Sequence, residues 1–506
     1  MSELAAIDAK LHDFDLVSRL DPDARMHKEF ELDSICPDDG KYGPKVQKLR
    51  DFLSARAEWK GCLDVQGLLM EARREYGLAT EEQVVLVREA IKKADPLNIA
   101  LLEEDKRIRH DQLAVLEELG RYLPVHVKAL MHPGTTSYDI LDTTRAYLFK
   151  RAWTDVIRPE ANAAVKSLCA IAEDNFDVLQ VGRTHLQYTS PVPLGLTLSG
   201  FALRLAKRID AANAAFHGLR GKISGIVGTG AGIQSVFGKD NALTVEKWVL
   251  SRLGLRPDYA STQITPKEPL TDVGHSLVGI IQILGALSED LRKLYSSDIQ
   301  EVASKEKKSG GSSTDATKDN PIDWENIAGN VAIVQSGMTV LYAMVQSDFQ
   351  RDLRNSRQGR YQPQHMMAEV YESLTRFNKA IGQLWINREK IAEHLNYVRK
   401  NPGDAMTTIL KGAAWTHPEH GDPHTFVKKT SLKAKIEGKS LLEVAKSDKH
   451  FAAIYEKLPG DHQQILSGEI ERYIGDAYLR ARFNLEEAKA IVISMNYKAV
   501  DQPAKL

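Results

Sequence analysis

Residues 270–294 read LTDVGHSLVGIIQILGALSEDLRKL, and this segment sets the expected architecture. Its apolar residues recur at intervals of three and four: Leu270, Val273, Leu277, Ile280, Leu284, Leu287, Leu291 and Leu294. This spacing is typical of a long bundle helix, which we expect to run to about Lys305. At 1.5 Å per residue, such a helix spans roughly 50 Å. A single subunit covers so long an apolar seam with difficulty, so the pattern favours an oligomer.

Other segments with helical spacing lie on both sides of it. Residues 44–120, 194–219 and 327–346 carry apolar stripes of the same kind, and residues 377–506 are again helical in pattern. Helical spacing therefore recurs over most of the chain. We divide it into an N-terminal arm, an N-terminal helical domain, a central bundle of long helices and a C-terminal helical domain, with the respective bounds 1–33, 34–131, 132–376 and 377–506.

The composition is that of an ordinary globular protein, with 67 Lys and Arg against 68 Asp and Glu. This balance argues against a general binder of nucleic acid or of membrane surfaces, because either needs a basic excess. Cys36, Cys62 and Cys169 lie far apart without a Cys-x-x-Cys pair, which indicates neither a zinc ribbon nor a disulfide framework. No signal-peptide pattern or long uncharged apolar run is seen, so we expect a cytoplasmic protein.

A polar loop follows the long helix. Residues 309–320 read SGGSSTDATKDN, Pro321 can begin the next helix, and Glu325 falls one turn into that helix. A loop rich in hydrogen-bond donors between two core helices is typical of an active-site lid. The alternative is a flexible solvated connection, which composition alone favours.

The spacing within this loop resembles the signature loop of the fumarase/aspartase superfamily, and its continuation resembles adenylosuccinate lyases. The matching positions are Gly311, Ser312, Ser313, Lys318, Asn320, Pro321 and Glu325. The chain departs from the family at Asp315, Ala316 and Thr317, where Met, Pro and one further residue are usual. The resemblance implies an all-α, three-domain fold with a central bundle of long helices.

Three histidine segments add to the resemblance. They are Arg109-His110-Asp111, His132 to Asp139, and Gly182 to Gln187, where Leu186 stands in place of the usual Gly. A lone His in a charged stretch is more often a solvated surface residue. Residues 225–232, GIVGTGAG, lack dinucleotide-loop spacing, and we interpret them as a glycine-rich loop that the resemblance places near the ligand.

The resemblance also implies a nucleotide site. Arg351, Ser356 and Arg360 match the family's phosphate-binding segment, although a run of Arg is commonly a solvated helix face. Lys41 stands where the family has Arg in the turn at residues 36–44, hereafter the 36–44 turn. The full set of implied substrate-binding residues is Lys41, Tyr42, Arg109, His110, His132, Thr136, Ser137, Gln187, Gln263, Asn320, Arg351, Ser356 and Arg360.

The implied reaction is β-elimination of fumarate from adenylosuccinate, giving AMP, and from SAICAR, giving AICAR, in purine biosynthesis. An acid and a base must act on opposite sides of the substrate. The resemblance assigns the base to Ser312 and the acid to His185. Lys318 would stabilise the serine alkoxide, and Glu325 would orient His185. It further implies a homotetramer whose sites are completed by several subunits, with no metal and no cofactor.

Two alternatives remain at this stage. One is a lyase of the same superfamily that acts on another C4-dicarboxylate or N-succinyl substrate, which the arginine segment argues against. The other is a catalytically silent structural homologue. Residues Ser312, His185 and Lys318 argue against it, whereas the altered loop residues 315–317 argue for it.

Overall fold

The computed structural model of the protein describes residues 32–305, 314–315 and 317–497. The described part is helical, with two short antiparallel strand pairs, so the predicted all-α class is confirmed. The N-terminal arm and Ser312 lie outside the described residues. The division into domains stays a prediction.

Between the two short 3₁₀ helices (Gly43–Lys45 and Gln47–Leu49) and the second histidine segment, the described chain forms six α-helices. They are α1 (Arg50–Leu53), α2 (Ala55–Glu75), α3 (Glu81–Lys93), α4 (Pro96–Glu104), α5 (Asp111–Gly120) and α6 (Val125–Lys128). Several begin at a side-chain cap: Ser54 Oγ accepts from the Ala57 N–H at 3.2 Å, and Thr80 forms a reciprocal capping box with Gln83. These caps fix where each helix begins.

The central part holds the long helices. They are α7 (Ser137–Ala152), α8 (Arg158–Asp174), α9 (Leu194–Gly218), α10 (Ala231–Phe237), α11 (Ala242–Arg252), α12 (Glu268–Leu294), α13 (Ile322–Met344) and α14 (Arg354–Gly382). Helix α12 packs against α9, α13 and α14, and α13 packs against α14. The apolar seam of residues 270–294 is thus the centre of a bundle, as its spacing predicts.

The predicted end of α12 near Lys305 is wrong, because the helix ends at Leu294. The apolar spacing stops there and is followed by Ser296, Ser297 and Asp298, residues whose side chains compete for backbone hydrogen bonds. The chain then turns through Gln300, which has a φ of 56°. Residues Val302–Ser304 continue as a strand instead.

The strands form two antiparallel pairs, a hairpin and a pair of strands that lie far apart in sequence. Strand β1 (Leu179–Thr184) pairs antiparallel with β2 (Gln187–Pro193), and β3 (Val302–Ser304) pairs with β4 (Leu384–Ile386). The first pair projects between α8 and α9, and its base packs against the helices of the C-terminal part.

The C-terminal part consists of shorter helices and one long return helix. They are α15 (Arg388–Lys400), α16 (Gly403–Gly412), α17 (Pro423–Glu437), α18 (Leu441–Lys446), α19 (Lys449–Tyr455), α20 (Gly460–Leu466) and α21 (Ala477–Tyr497). Residues 405–466 bury an apolar core of their own. A third small cluster joins Val181 of β1 to Leu395, Val398 and Ile470. Helix α21 returns to pack on α9.

Helices α12 and α13 are long and apolar enough to cross a membrane by length and composition alone. Both are bundle helices, but only 39% of the most apolar window of α13 is buried within one chain. Its exposed apolar side chains include Ile333 and Tyr342. Part of the apolar surface of α13 is therefore uncovered within one chain, and the oligomer that the sequence favours stays a prediction.

Candidate active site

The N-terminus of α7 is built around the buried carboxylate of Asp139. One oxygen accepts from the Thr136 N–H at 2.7 Å, and the other accepts from the Ser224 N–H at 2.9 Å. The ammonium group of Lys222 forms an ion pair with the same carboxylate, and neither side chain is exposed. Asp139 therefore ties the predicted Thr136 and Ser137 to the glycine-rich loop.

Close backbone approach holds this loop in place. Gly134 has a φ of 88°, and a Cβ atom there would lie 2.8 Å from the carbonyl oxygen of Gly232. Any larger residue at position 134 would push the two segments apart. The second histidine segment and the glycine-rich loop are thus neighbours.

His132 and His110 flank the start of α7. The Nδ1 atom of His132 lies 3.0 Å from Gln66 Nε2 and 3.0 Å from Thr135 Oγ1. Burial lowers the pKa of His132, which favours its neutral form. His110 accepts from a backbone N–H through Nδ1, so its Nε2, 3.3 Å from Ser137 Oγ, carries the proton in the neutral ring. His110 is thus held beside Ser137, and His132 is held beside Gln66 and Thr135.

Arg351 lies on the adjacent side, just before α14. Its Nη1 donates to Gln263 Oε1 at 2.8 Å, and its guanidinium carbon lies 3.8 Å from the centroid of the Tyr138 ring. Its Nε is buried without a hydrogen-bond partner in the described part of the chain. An orphaned buried donor on a fixed guanidinium is suited to a ligand oxyanion.

A buried ion pair, Lys267 with Asp142, lies near Arg351. Lys267 is buried and pairs with Asp142 at 2.7 Å. Burial lowers the pKa of Lys267, Asp142 opposes this, and the neighbouring Arg145 and Arg351 lower it further. Because Asp142 neutralises Lys267, the pair adds no net charge, and the positive charge on this side of the site is that of Arg351.

Arg360 and Ser356 lie on the first turns of α14. The Arg360 guanidinium is 3.6 Å from Asp111 and 3.7 Å from Glu103, distances of ion pairs that lack close hydrogen bonds. Asp111 follows His110 directly, so Arg360 faces the same side of the site as His110. Ser356 is half-buried in the first turn of α14.

His185 stands at the tip of the β1–β2 hairpin. His185 and Leu186 form its two-residue turn with φ values of 52° and 61°, and Thr184 pairs with Gln187. Two central residues with positive φ are typical of a type I′ turn, which favours Gly or Asn. His185, Leu186 and Gln187 are exposed. The hairpin therefore exposes the His185 imidazole to solvent on a turn whose backbone is strained.

Ionic contacts hold the end of β1 in place, close to the hairpin tip. The Arg183 Nη1 donates to Glu301 Oε2 at 3.1 Å, and His394 Nδ1 lies 2.6 Å from Glu301 Oε1. Glu301 is fully buried, and the Arg183 guanidinium balances its charge in a dry environment. These contacts and the small apolar cluster at Val181 hold the tip in position.

Replacing Leu186 with Gly should raise the free energy of unfolding. A left-handed backbone costs a non-Gly residue roughly 1–2 kcal/mol, and the greater unfolded-state entropy of Gly returns about half of that. We expect a net gain of about 0.5–1 kcal/mol, measured by denaturant unfolding at one protein concentration. The matched change Gln187→Gly, in the adjacent strand, should lower stability. A loss with Leu186→Gly would mean that the leucine side chain makes a stabilising contact that outweighs the strain.

The described end of the signature loop forms a local turn. Asp315 Oδ1 accepts from the Thr317 N–H at 2.9 Å and from its hydroxyl at 2.6 Å, and the Lys318 N–H donates to the Asp315 carbonyl at 3.2 Å. The residues that replace the family's Met-Pro pattern thus supply a turn of their own. Lys318 is exposed and Asn320 is half-buried. Glu325 is exposed in the first turn of α13.

The remaining predicted residues lie at the rim. Lys41 is exposed and Tyr42 is half-buried in the 36–44 turn, where Lys45 Nζ lies 5.1 Å from the Tyr42 ring centroid. Arg109 is exposed, with a φ of 39°, immediately before α5.

Within one chain, the structure brings together part of the predicted set around the start of α7. These residues are His110, His132, Thr136, Ser137, Gln263, Arg351 and Arg360. Among the described residues, no hydrogen bond or ion pair joins His185, Gln187, Lys318 or Glu325 to them. The sequence analysis missed Lys222 and Tyr138. Lys222 stands in no motif, and Tyr138, although it lies within the second histidine segment, gives no sign in the sequence that its ring packs on Arg351.

These features define a helical enzyme of the lyase type. The family model described as lyase matches residues 40–336, which is more than half of the chain. The chain belongs to this lyase family and is an enzyme of the fumarate-releasing kind.

The chain is similar to several adenylosuccinate lyases. It is 28% identical over 423 residues to that of Pyrococcus abyssi (strain GE5 / Orsay), which covers 82% of this chain and 90% of the relative. It is 27% identical over 447 residues to that of Archaeoglobus fulgidus, which covers 88% of this chain and 96% of the relative.

Solved structures confirm the fold. The 3-carboxy-cis,cis-muconate lactonizing enzyme from Pseudomonas putida superposes with a TM-score of 0.75 at 20% identity, covering 88% of this chain and 97% of that chain. A fumarate lyase from Mesorhizobium sp. BNC1 superposes with a TM-score of 0.73 at 21% identity, covering 87% of this chain and 97% of that chain. The predicted fumarase/aspartase-like architecture is therefore confirmed.

Proposed function

We propose that this enzyme eliminates fumarate from adenylosuccinate to give AMP, and from SAICAR to give AICAR, in purine biosynthesis. The observation that carries this proposal is Arg351. Its guanidinium is fixed by Gln263 and by the Tyr138 ring, and its buried Nε lacks a partner among the described residues. That geometry suits a substrate phosphate, which fumarase and aspartase substrates do not carry.

The elimination requires two proton transfers. Ser312 removes the proton from the carbon next to a carboxylate of the succinyl group, and His185 protonates the departing nitrogen. Lys318 stabilises the serine alkoxide and, with Asn320, the carboxylate of the dianionic intermediate. Glu325 orients His185 and raises its basicity. Thr136 and Ser137, at the positive end of α7, bind a succinyl carboxylate.

We infer that each site is completed by several subunits of a homotetramer. In one chain, His185 and Glu325 are exposed and make no contact with the residues around the start of α7 within the described part. The uncovered apolar face of α13 supports association of copies through the bundle, because burial of apolar surface drives such assembly.

The direct test is an assay of the purified protein with adenylosuccinate that follows fumarate release. Turnover with adenylosuccinate supports the proposal. Turnover only with N-succinyl or C4-dicarboxylate substrates that lack a nucleotide contradicts it and leaves a lyase of another specificity. No turnover with any of these substrates leaves a silent homologue.

Arg351→Ala should lower kcat/KM for adenylosuccinate by about ten- to a hundredfold. That factor corresponds to roughly 1.5–3 kcal/mol for a charge-assisted hydrogen bond. The value for the dephosphorylated substrate should change little, so the ratio of the two specificity constants is the measurement. Arg360→Ala should act in the same direction but more weakly, because Asp111 and Glu103 already compete for its charge.

Arg354→Ala is the matched control for both variants. Arg354 lies between the two arginines in sequence but is exposed and paired with Asp352 and Asp348 at 2.6 and 2.9 Å. It should leave the ratio unchanged. If Arg351→Ala leaves the ratio at its wild-type value, the arginine segment does not bind phosphate, and a non-nucleotide substrate becomes the better proposal.

A further inference from the structure

A cluster of three metal-ligating side chains lies outside the site described above. His365 and Glu369 are four residues apart on α14, and Asp38 belongs to the 36–44 turn. Residues at this spacing lie on one face of a helix. The ligand atoms of all three residues lie within 4.8 Å of one another, and all three side chains are half-buried. The motif analysis, which predicted no metal, did not detect this arrangement because Asp38 and His365 are 327 residues apart.

The charges of the cluster are unbalanced. His365 Nδ1 lies 2.5 Å from Asp38 Oδ2, and Glu369 brings a second carboxylate to the same place. Within the described residues, no Lys or Arg forms an ion pair with Asp38 or Glu369. Two carboxylates around one imidazole therefore require a shared proton or a cation.

A second histidine–carboxylate contact in the same chain, between His394 and Glu301, differs from this cluster in its number of carboxylates. Glu301 is a single buried carboxylate, and both Arg183 and His394 lie against it. That group pairs one carboxylate with an arginine and has no second carboxylate. It is an ion pair, whereas the cluster on α14 has the composition of a ligand set.

We propose that Asp38, His365 and Glu369 bind a divalent transition-metal ion, of which Zn²⁺ and Mn²⁺ are the natural probes. One imidazole nitrogen and two carboxylate oxygens form a mixed donor set that these ions accept, with the remaining positions left to water. Mg²⁺ prefers oxygen ligands alone and binds reluctantly where its hydration shell must be disrupted. Zn²⁺ is expected to bind more tightly than Mn²⁺, following the general order for nitrogen and oxygen ligands.

The position of the metal site predicts what a bound ion would do to the structure. Asp38 lies three residues before Lys41 and four before Tyr42, whereas His365 lies five residues after Arg360 on α14. A bound ion would fasten the 36–44 turn to the helix that carries Arg360. The ion takes no part in the elimination, and its binding can be measured without any activity assay.

The test is metal binding to the full-length, chelator-treated protein. Competition with a chromogenic chelator gives the stoichiometry and affinity for Zn²⁺ and Mn²⁺. We expect one Zn²⁺ per chain, and at least a tenfold loss of affinity in each of His365→Ala and Glu369→Gln. His394→Ala, which removes the histidine of the other contact, should bind Zn²⁺ as the wild type does.

Three results would overturn the proposal. The first is the absence of stoichiometric Zn²⁺ binding. The second is an unchanged Zn²⁺ affinity in both His365→Ala and Glu369→Gln. The third is a loss of Zn²⁺ affinity in His394→Ala as large as that in the cluster variants. Any of these would leave the cluster as an ion pair that shares a proton. Asp38→Asn provides a third variant, from a surface turn, if a substitution on α14 prevents folding. Zn²⁺ should raise the thermal midpoint of the wild type and not that of Asp38→Asn.

Discussion

His185→Ala should lower kcat for fumarate release by two to four orders of magnitude, the range over which a positioned general acid contributes. The imidazole is exposed at the hairpin tip, and its side chain makes no hydrogen bond within the described part of the chain. Its removal should therefore leave the oligomer and nucleotide binding unchanged. The measurements are kcat, the affinity for AMP, and the size of the oligomer.

His126→Ala is the matched control, because His126 is an exposed histidine on α6, outside the proposed site. Its kcat should equal that of the wild type. Near-normal turnover in His185→Ala would remove the residue from the mechanism.

Mixing inactive His185→Ala and Ser312→Ala subunits should restore part of the activity if the sites are shared. Complete inactivity after verified subunit exchange would contradict a shared site.

Lys222→Ala should lower the free energy of unfolding by about 3–5 kcal/mol, which is typical when one partner of a buried ion pair is removed. The change would leave the Asp139 carboxylate buried and facing only neutral N–H donors from Thr136, Ser224 and Gly225. Denaturant unfolding at one protein concentration measures the loss.

The control for this change is Lys247→Ala on α11, which removes an exposed lysine and should alter stability by less than about 0.5 kcal/mol. Because Asp139 also positions the start of α7, the Lys222 variant should bind nucleotide more weakly even where it remains folded. A loss of stability below about 1 kcal/mol would show that the carboxylate finds another partner.

Periodicity predicted the bundle because long helices carry their packing pattern in the local sequence. The helix predicted at residues 194–219 is observed as Leu194–Gly218. The end of α12 was missed by about ten residues, since the polar residues from Ser296 onward had been counted within the helix. The strand β3 was not predicted, because its partner β4 lies some 80 residues away and three residues carry too little pattern.

The candidate site was predictable only where residues stand in recognisable motifs. The segments around His110, His132 and Arg351 could be located in this way, and the structure places them together. The Lys222–Asp139 ion pair could not, because its members are 83 residues apart and Lys222 stands in no motif. Tertiary packing alone decides which lysine reaches a buried carboxylate.

Residues far along the chain help to hold the β1–β2 hairpin, and with it His185, in position. Val181, at the base of the strand that leads to His185, rests on Leu395, Val398 and Ile470. A substitution at Leu395, Val398 or Ile470 would shift the imidazole that we propose as the general acid, although the nearest motif is tens of residues away. A survey of sequence variants that ranks positions by nearness to the motifs would score such a change as harmless. Variants in the region 395–470 therefore need to be judged by turnover as well as by expression.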